Sequence, residues 1–193
     1  MTVLKHPFPH QCYDIDELLK DTVKVSTYMR KLKQSADKNF ATIDPNTYYG
    51  SGFECLFESI LLQFSSLRFF GVEDYEPIIQ DDYGVDFIGT TPEGEKIAYQ
   101  CKARTDGSYL LEAHRDHLAS FGTRAQRMGA SQMVIVTTAK GVNHHVEKMF
   151  SAFSPEQKPL KVLGNSVLMN LLNNNSLFWK RYYTQLKDTK TSP

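Results

Sequence analysis

Residues 81–104 read DDYGVDFIGTTPEGEKIAYQCKAR. The Thr91-Pro92-Glu93-Gly94 turn separates two short extended segments, residues 84–89 and 96–103, and predicts an antiparallel hairpin. The two-residue period of a strand puts Gln100 and Lys102 on one face and Cys101 on the other. Asp86 lies on the opposite arm. A register that brings Asp86 beside that pair makes a carboxylate, an amide oxygen and an ammonium converge.

Such a cluster can hold a divalent metal through Asp86 Oδ and Gln100 Oε1, with the main-chain carbonyl of Cys101 as an extra ligand. Lys102 would then orient or deprotonate a water attacking phosphorus, or steady the charge building on its oxygens. Hard oxygen donors favour Mg²⁺ or Mn²⁺ over zinc. One carboxylate is thin support for a doubly charged ion, so a second is sought elsewhere in the chain. Glu54 is the candidate, with Glu58 four residues on and able to face the same way; the plainer account is that Glu54 favours a helix N-terminus.

Outward from the hairpin, the preceding run FECLFESILLQFSSLRFF, residues 53–70, repeats apolar positions every three or four residues and predicts a helix starting near Phe53. Residues 41–52, with Pro45, Asn46 and two glycines, read as its turn-rich approach. Residues 14–38 predict one or two helices with Asp14 as N-cap. Around residues 75–80 a third extended segment is expected. Downstream, residues 111–128 read as a helix ending near Gly129, and MVIVTT at 133–138 as a buried central strand. A helix at 143–153, a strand at 160–163 and a helix opening at 166–172 complete the pattern. This order predicts a mixed α/β fold, a central mixed sheet flanked by helices.

The 193 residues fit one domain with appendages. Lys+Arg and Asp+Glu number 22 each, with 41% apolar residues, which excludes wholesale disorder and a supercharged nucleic-acid tail. Charge is uneven along the chain. Residues 71–95 carry Glu73, Asp74, Glu76, Asp81, Asp82, Asp86, Glu93 and Glu95 with no Lys or Arg. Carboxylates that converge there would need a metal ion or raised pKa values. Residues 101–148 are basic in balance. No long apolar stretch or secretion signal is present, and Cys12, Cys55 and Cys101 match no metal-knuckle spacing, so a soluble intracellular protein with free thiols and no membrane association is expected. His114, His117, His144 and His145 complete no zinc pattern.

Gly50-Ser51-Gly52-Phe53-Glu54, Gly84-Val85-Asp86, Gln100-Cys101-Lys102 and Val136-Thr137-Thr138 occur in that order. Together they resemble the catalytic domain of Mrr-like restriction endonucleases in the PD-(D/E)XK nuclease superfamily, over about residues 46–172. The resemblance implies a restriction-endonuclease-like sheet and Mg²⁺-dependent hydrolysis of DNA, with Mn²⁺ as a substitute. It further implies Asp86 as central metal ligand, Gln100 at the position more often acidic, Lys102 as catalytic lysine and Glu54 as an assisting ligand. On this basis residues 1–45 form a helical N-terminal extension, 46–172 the nuclease domain and 173–193 a C-terminal helical tail.

Arg104, Arg115, Arg124, Arg127 and Lys140 are candidate phosphate contacts, each with the alternative of an ordinary solvated surface cation. Thr137 and Thr138 could approach the site, although β-propensity also accounts for them. Trp179, Tyr182 and Tyr183 read as a packing helix or a nucleic-acid contact. Two function classes stay open: a divalent-metal-dependent DNA endonuclease, and a DNA-binding or interaction module that keeps the fold with little cleavage. Double-strand cutting would need two sites, as in a homodimer, or sequential nicking. Domains of this family are often joined to helicase or winged-helix regions; no P-loop is present, so such a motor or DNA-recognition domain would lie outside this chain.

Overall fold

The computed structural model describes residues 3–64, 71–79, 84–153 and 160–192. The chain divides into two compact units, one of residues 1–64 with 166–193 and the other of residues 65–165.

The first unit is helical. Asp14 caps α2 (Ile15–Leu19) by accepting the Glu17 N–H at 2.9 Å, after the single-turn α1 (Phe8–Gln11). Asp21 takes φ 54°, which separates α2 from α3 (Val25–Lys38), so residues 14–38 form two helices. Helix α4 runs from Pro45 to Gln63 and so begins eight residues before the expected start at Phe53. The cause is local: Asp44 Oδ2 accepts the Thr47 N–H at 2.8 Å, and Pro45 supplies a preset φ where no N–H is needed. Glu54 is consequently a mid-helix residue and not an N-terminal one. Gly50 and Gly52, which look like turn residues in sequence, are helical; Gly52 lets α3 approach, since a Cβ there would lie 2.5 Å from Leu32 Cδ1. The Tyr28 hydroxyl donates to Gly52 O at 2.8 Å and lies 2.8 Å from the Tyr182 hydroxyl. Helix α8 (Ser176–Thr191) buries Phe178, Trp179 and Tyr182, and Trp179 Nε1 donates to Leu172 O at 2.9 Å. The aromatic C-terminal segment is therefore a packing helix.

The second unit carries the sheet, with strand order β1 (Asp74–Pro77), β2 (Phe87–Thr90), β3 (Lys96–Lys102), β5 (Ala130–Thr137) and β7 (Lys161–Leu163). The β1–β2 and β2–β3 pairs are antiparallel, whereas β3–β5 and β5–β7 are parallel. The expected hairpin across Thr91–Gly94 is present, with Phe87 opposite Tyr99. Both faces of the central β3 and β5 are buried, as their near-continuous apolar runs require. One face packs Ala98, Met133 and Ile135 against Leu118, Phe121 and Ala125 of α5 (Leu118–Arg127) and Val146 and Phe150 of α6 (His144–Phe153). Helix α5 begins at Leu118, seven residues later than expected. Leu110–Leu111 instead forms β4, paired in parallel with β6 (Gly141–Val142), and His117 at φ 55° stops the helix from extending backward. Helix α7 (Asn165–Leu172) follows β7. This is a mixed α/β fold with a central mixed sheet flanked by helices, as the sequence predicts. Gln80 and residues 65–70, expected to close a strand and a helix, lie outside the described residues. Among the described residues no helix is long and apolar enough to cross a membrane.

Candidate active site

The regular β2–β3 ladder stops at Phe87↔Tyr99, and Asp86 is the first residue beyond it. Its N–H donates to Tyr99 O at 2.8 Å, and its carboxylate Oδ2 accepts the Cys101 N–H at 2.6 Å. Main chain and side chain of Asp86 thus bracket Gln100 from the neighbouring strand. Gln100 has no exposed surface, and neither its Oε1 nor its Nε2 has a hydrogen-bond partner among the described residues. A buried amide group without partners costs about 1–3 kcal/mol for each unsatisfied atom. The amide is also closely confined: a Cβ on Gly84, which has φ +81°, would fall 2.6 Å from Gln100 Nε2. Lys102 ends β3 on the same strand face as Gln100 and is half-buried.

The oxygens of Asp86 and Gln100 suit a hard divalent cation, and the unpartnered Gln100 Oε1 is the donor such an ion would satisfy. Among the described residues of this unit, Asp86 is the carboxylate beside Gln100. Among the described residues no three His, Cys, Asp or Glu side chains come together as a metal-holding group. The acidic run at 71–95 does not converge into one there, and its Asp81 and Asp82 lie outside the described residues. Glu54 belongs to the helical unit, where its Oε2 is 3.0 Å from His6 Nε2; the His6 Nδ1 accepts the Phe8 N–H at 3.1 Å, so Nε2 carries the proton and donates. The fully buried Glu58 accepts the N–H groups of Lys5 and His6.

Beyond Lys102 the strand is held by hydroxyls. Thr137 Oγ1 donates to Lys102 O at 2.6 Å; Thr138 Oγ1 accepts the Arg104 N–H at 2.6 Å and donates to Arg104 O at 2.7 Å. The Arg104 guanidinium binds Asp116 through Nε at 3.1 Å and through Nη2. Asp116 is 2% exposed and also accepts the Glu112 N–H at 2.6 Å and the Tyr109 hydroxyl at 3.2 Å. Burial pushes its carboxyl pKa up, but the bonds from Glu112 and Arg104 outweigh burial and hold it below its ordinary value. Arg104 is thus neither a solvated strand-end cation nor an open phosphate contact in this geometry. Sequence reading missed Asp116: an Arg and an Asp twelve residues apart across irregular backbone follow no period. Arg115 is exposed and lies over the Tyr109 ring at 5.6 Å. Arg124 and Arg127 line one groove on α5 with Ala119, Ser120 and Thr123, and Lys140 is exposed. The four histidines considered for zinc are exposed.

No curated protein matches the chain. Among solved structures, the MspJI restriction endonuclease bound to a 27-mer oligonucleotide aligns with 85% of this chain at 15% identity and a TM-score of 0.43. The alignment covers 36% of that protein, so this chain spans about a third of its length. A family model described as restriction endonuclease matches residues 67–187, more than half of the chain and including the Asp86, Gln100 and Lys102 positions. The chain therefore belongs to the Mrr-like restriction-endonuclease family.

Proposed function

We propose that this chain is a divalent-metal-dependent endonuclease that hydrolyses DNA phosphodiester bonds. The observation that carries the reading is the buried Gln100 amide, unpartnered among the described residues, bracketed by the two bonds of Asp86 and followed by Lys102 on the same strand face, in a chain of this family. Asp86 Oδ, Gln100 Oε1 and the Cys101 carbonyl are the oxygens that would hold Mg²⁺, or Mn²⁺ in its place. Magnesium is commonly held by one or two carboxylates plus substrate phosphates, so a protein donor set poor in charge suits an ion completed by DNA. When bound, the ion supplies Lewis-acid polarisation of the phosphate and a more acidic water. Lys102 orients the attacking water and offsets charge growing on the phosphoryl oxygens. The water oxygen bonds to phosphorus as the P–O3′ bond breaks, leaving a 5′-phosphate and a 3′-hydroxyl.

Arg115, Arg124, Arg127 and Lys140 serve as backbone phosphate contacts that fix DNA without reading its sequence. Arg104 enters that set only if it leaves Asp116. Cutting both strands takes a second copy of the site or successive nicks, and sequence choice or translocation belongs to a DNA-recognition or helicase domain outside this chain. The neutral Gln100 and the absence of a three-ligand group among the described residues favour one alternative, a DNA-binding module with little cleavage.

Supercoiled plasmid incubated with wild-type and Lys102→Ala protein in Mg²⁺, in Mn²⁺ and with EDTA separates the two. Nicked or linear product from the wild type alone, abolished by EDTA, is the expected outcome. A folded wild type that binds DNA yet cuts neither double- nor single-stranded substrate in either metal identifies the binding module.

A further inference from the structure

Lys102 is the last residue of β3, and its pairing with Thr137 is the last of the β3–β5 ladder. The next residues leave the sheet, so the direction in which Lys102 projects depends on how the chain exits. Here that exit is fixed three times by side chains of other segments. The Lys102 carbonyl is bound by Thr137 Oγ1, both main-chain groups of Arg104 are bound by the single hydroxyl of Thr138, and the Arg104 guanidinium is bound by Asp116. Thr138 stands in for a missing rung of main-chain ladder, since β3 and β5 pair regularly only as far as Lys102↔Thr137. Asp116 is itself immobilised by the Glu112 N–H and the Tyr109 hydroxyl, and Thr137 and Thr138 are buried.

We propose that Thr138 and Asp116 are positioning residues for Lys102: together they pin Arg104, two residues further on, and so hold the lysine of β3 in the orientation its role requires. The inference rests on the nuclease reading of Lys102, and it gives the Arg104–Asp116 ion pair a purpose other than DNA contact. An error of about 1 Å at a reacting group can cost on the order of a hundredfold in rate, so loosening the exit acts on turnover and not on DNA binding.

Thr138→Val keeps the side-chain volume and removes both bonds to Arg104, Thr138→Ser keeps the hydroxyl, and Asp116→Asn weakens the guanidinium anchor without emptying the site. Amide hydrogen exchange at Arg104 reads the clamp directly and needs neither metal nor DNA. Plasmid cleavage in Mg²⁺ reads its consequence. Expected results are faster Arg104 exchange and kcat lowered about ten- to a hundredfold with KM for DNA within about twofold in Thr138→Val, and near wild-type behaviour in Thr138→Ser. Asp116→Asn repeats the test by the second anchor and replaces Thr138→Val if that variant does not fold. Unchanged Arg104 exchange in the folded variants overturns the clamp; faster exchange with kcat within about twofold of wild type overturns its link to Lys102. Wild-type protein that cuts no DNA overturns the nuclease reading and the catalytic purpose of the clamp, while the exchange data still show whether the clamp holds Arg104.

Discussion

Gln100 concentrates the physical question of the site in one residue. Its amide lies in the interior with neither polar atom partnered among the described residues, a cost the rest of the unit must offset. A glutamine in this place gives a cation an oxygen donor but no charge. Replacing it by glutamate adds a full negative charge beside Asp86, and at separations of about 4 Å even a screened interaction amounts to several kcal/mol. Gln100→Glu should therefore bind Mg²⁺ at least about tenfold more tightly by calorimetric titration in the absence of DNA, and should melt at a lower temperature than wild type when the metal is removed. Equal affinity in the two proteins would place the ion elsewhere. The residues of this site were legible because a hairpin has a fixed period: Gln100 and Lys102 share a face by alternation alone. What alternation could not supply is that Asp86 sits beyond the ladder and takes the Cys101 N–H with its side chain, a local departure with no sequence mark.

At the scale of an element, α4 shows both what sequence pattern carries and where it misleads. The apolar spacing after Phe53 was correctly helical, but Gly50 and Gly52 looked like a turn, although the Asp44-Pro45-Asn46-Thr47 start signal stands upstream. Their reason is tertiary in one case only. A Cβ at Gly52 would lie 2.5 and 2.6 Å from the two methyl carbons of Leu32, which is itself fully buried on α3, whereas a Cβ at Gly50 would meet only Glu54 Oε1 at 4.0 Å. The same substitution should thus have opposite signs at positions two residues apart on one helix. Gly50→Ala gains helix propensity and stabilises by up to about 1 kcal/mol; Gly52→Ala loses about 1–2 kcal/mol net, as overpacking against Leu32 exceeds that gain. Urea unfolding of both variants measures the pair, and a stabilised Gly52→Ala would mean that Leu32 can repack freely. The α5 boundary failed for a related reason: residues 110–117 hold helix-compatible types, yet β4 pairing and the αL backbone of His117 decide otherwise. Strand MVIVTT and the hairpin, whose signals are local and strong, came out as expected.

Across the whole molecule, 22 basic and 22 acidic residues leave no net charge to drive non-specific attraction to DNA. On the proposed nuclease reading, affinity for DNA would come from individual cations, and the sheet-bearing unit carries the candidates: exposed Arg115, Arg127 and Lys140, with half-buried Arg124 beside Arg127 on α5. Each cation that neutralises a phosphate releases condensed counterions, so the slope of log K against log salt concentration counts the contacts, about 0.9 for each one on duplex DNA. Arg115→Ala, Arg127→Ala and Lys140→Ala should each weaken duplex binding and flatten that slope by close to one, whatever the DNA sequence, when titrated in EDTA by fluorescence anisotropy. Arg104→Ala should leave the slope unchanged, because its guanidinium is neutralised by Asp116 and not by a phosphate. If the slope falls for Arg104→Ala and stays constant for the other three, DNA follows the strand end and displaces Asp116 from its arginine, and the α5 face is not the path of the backbone.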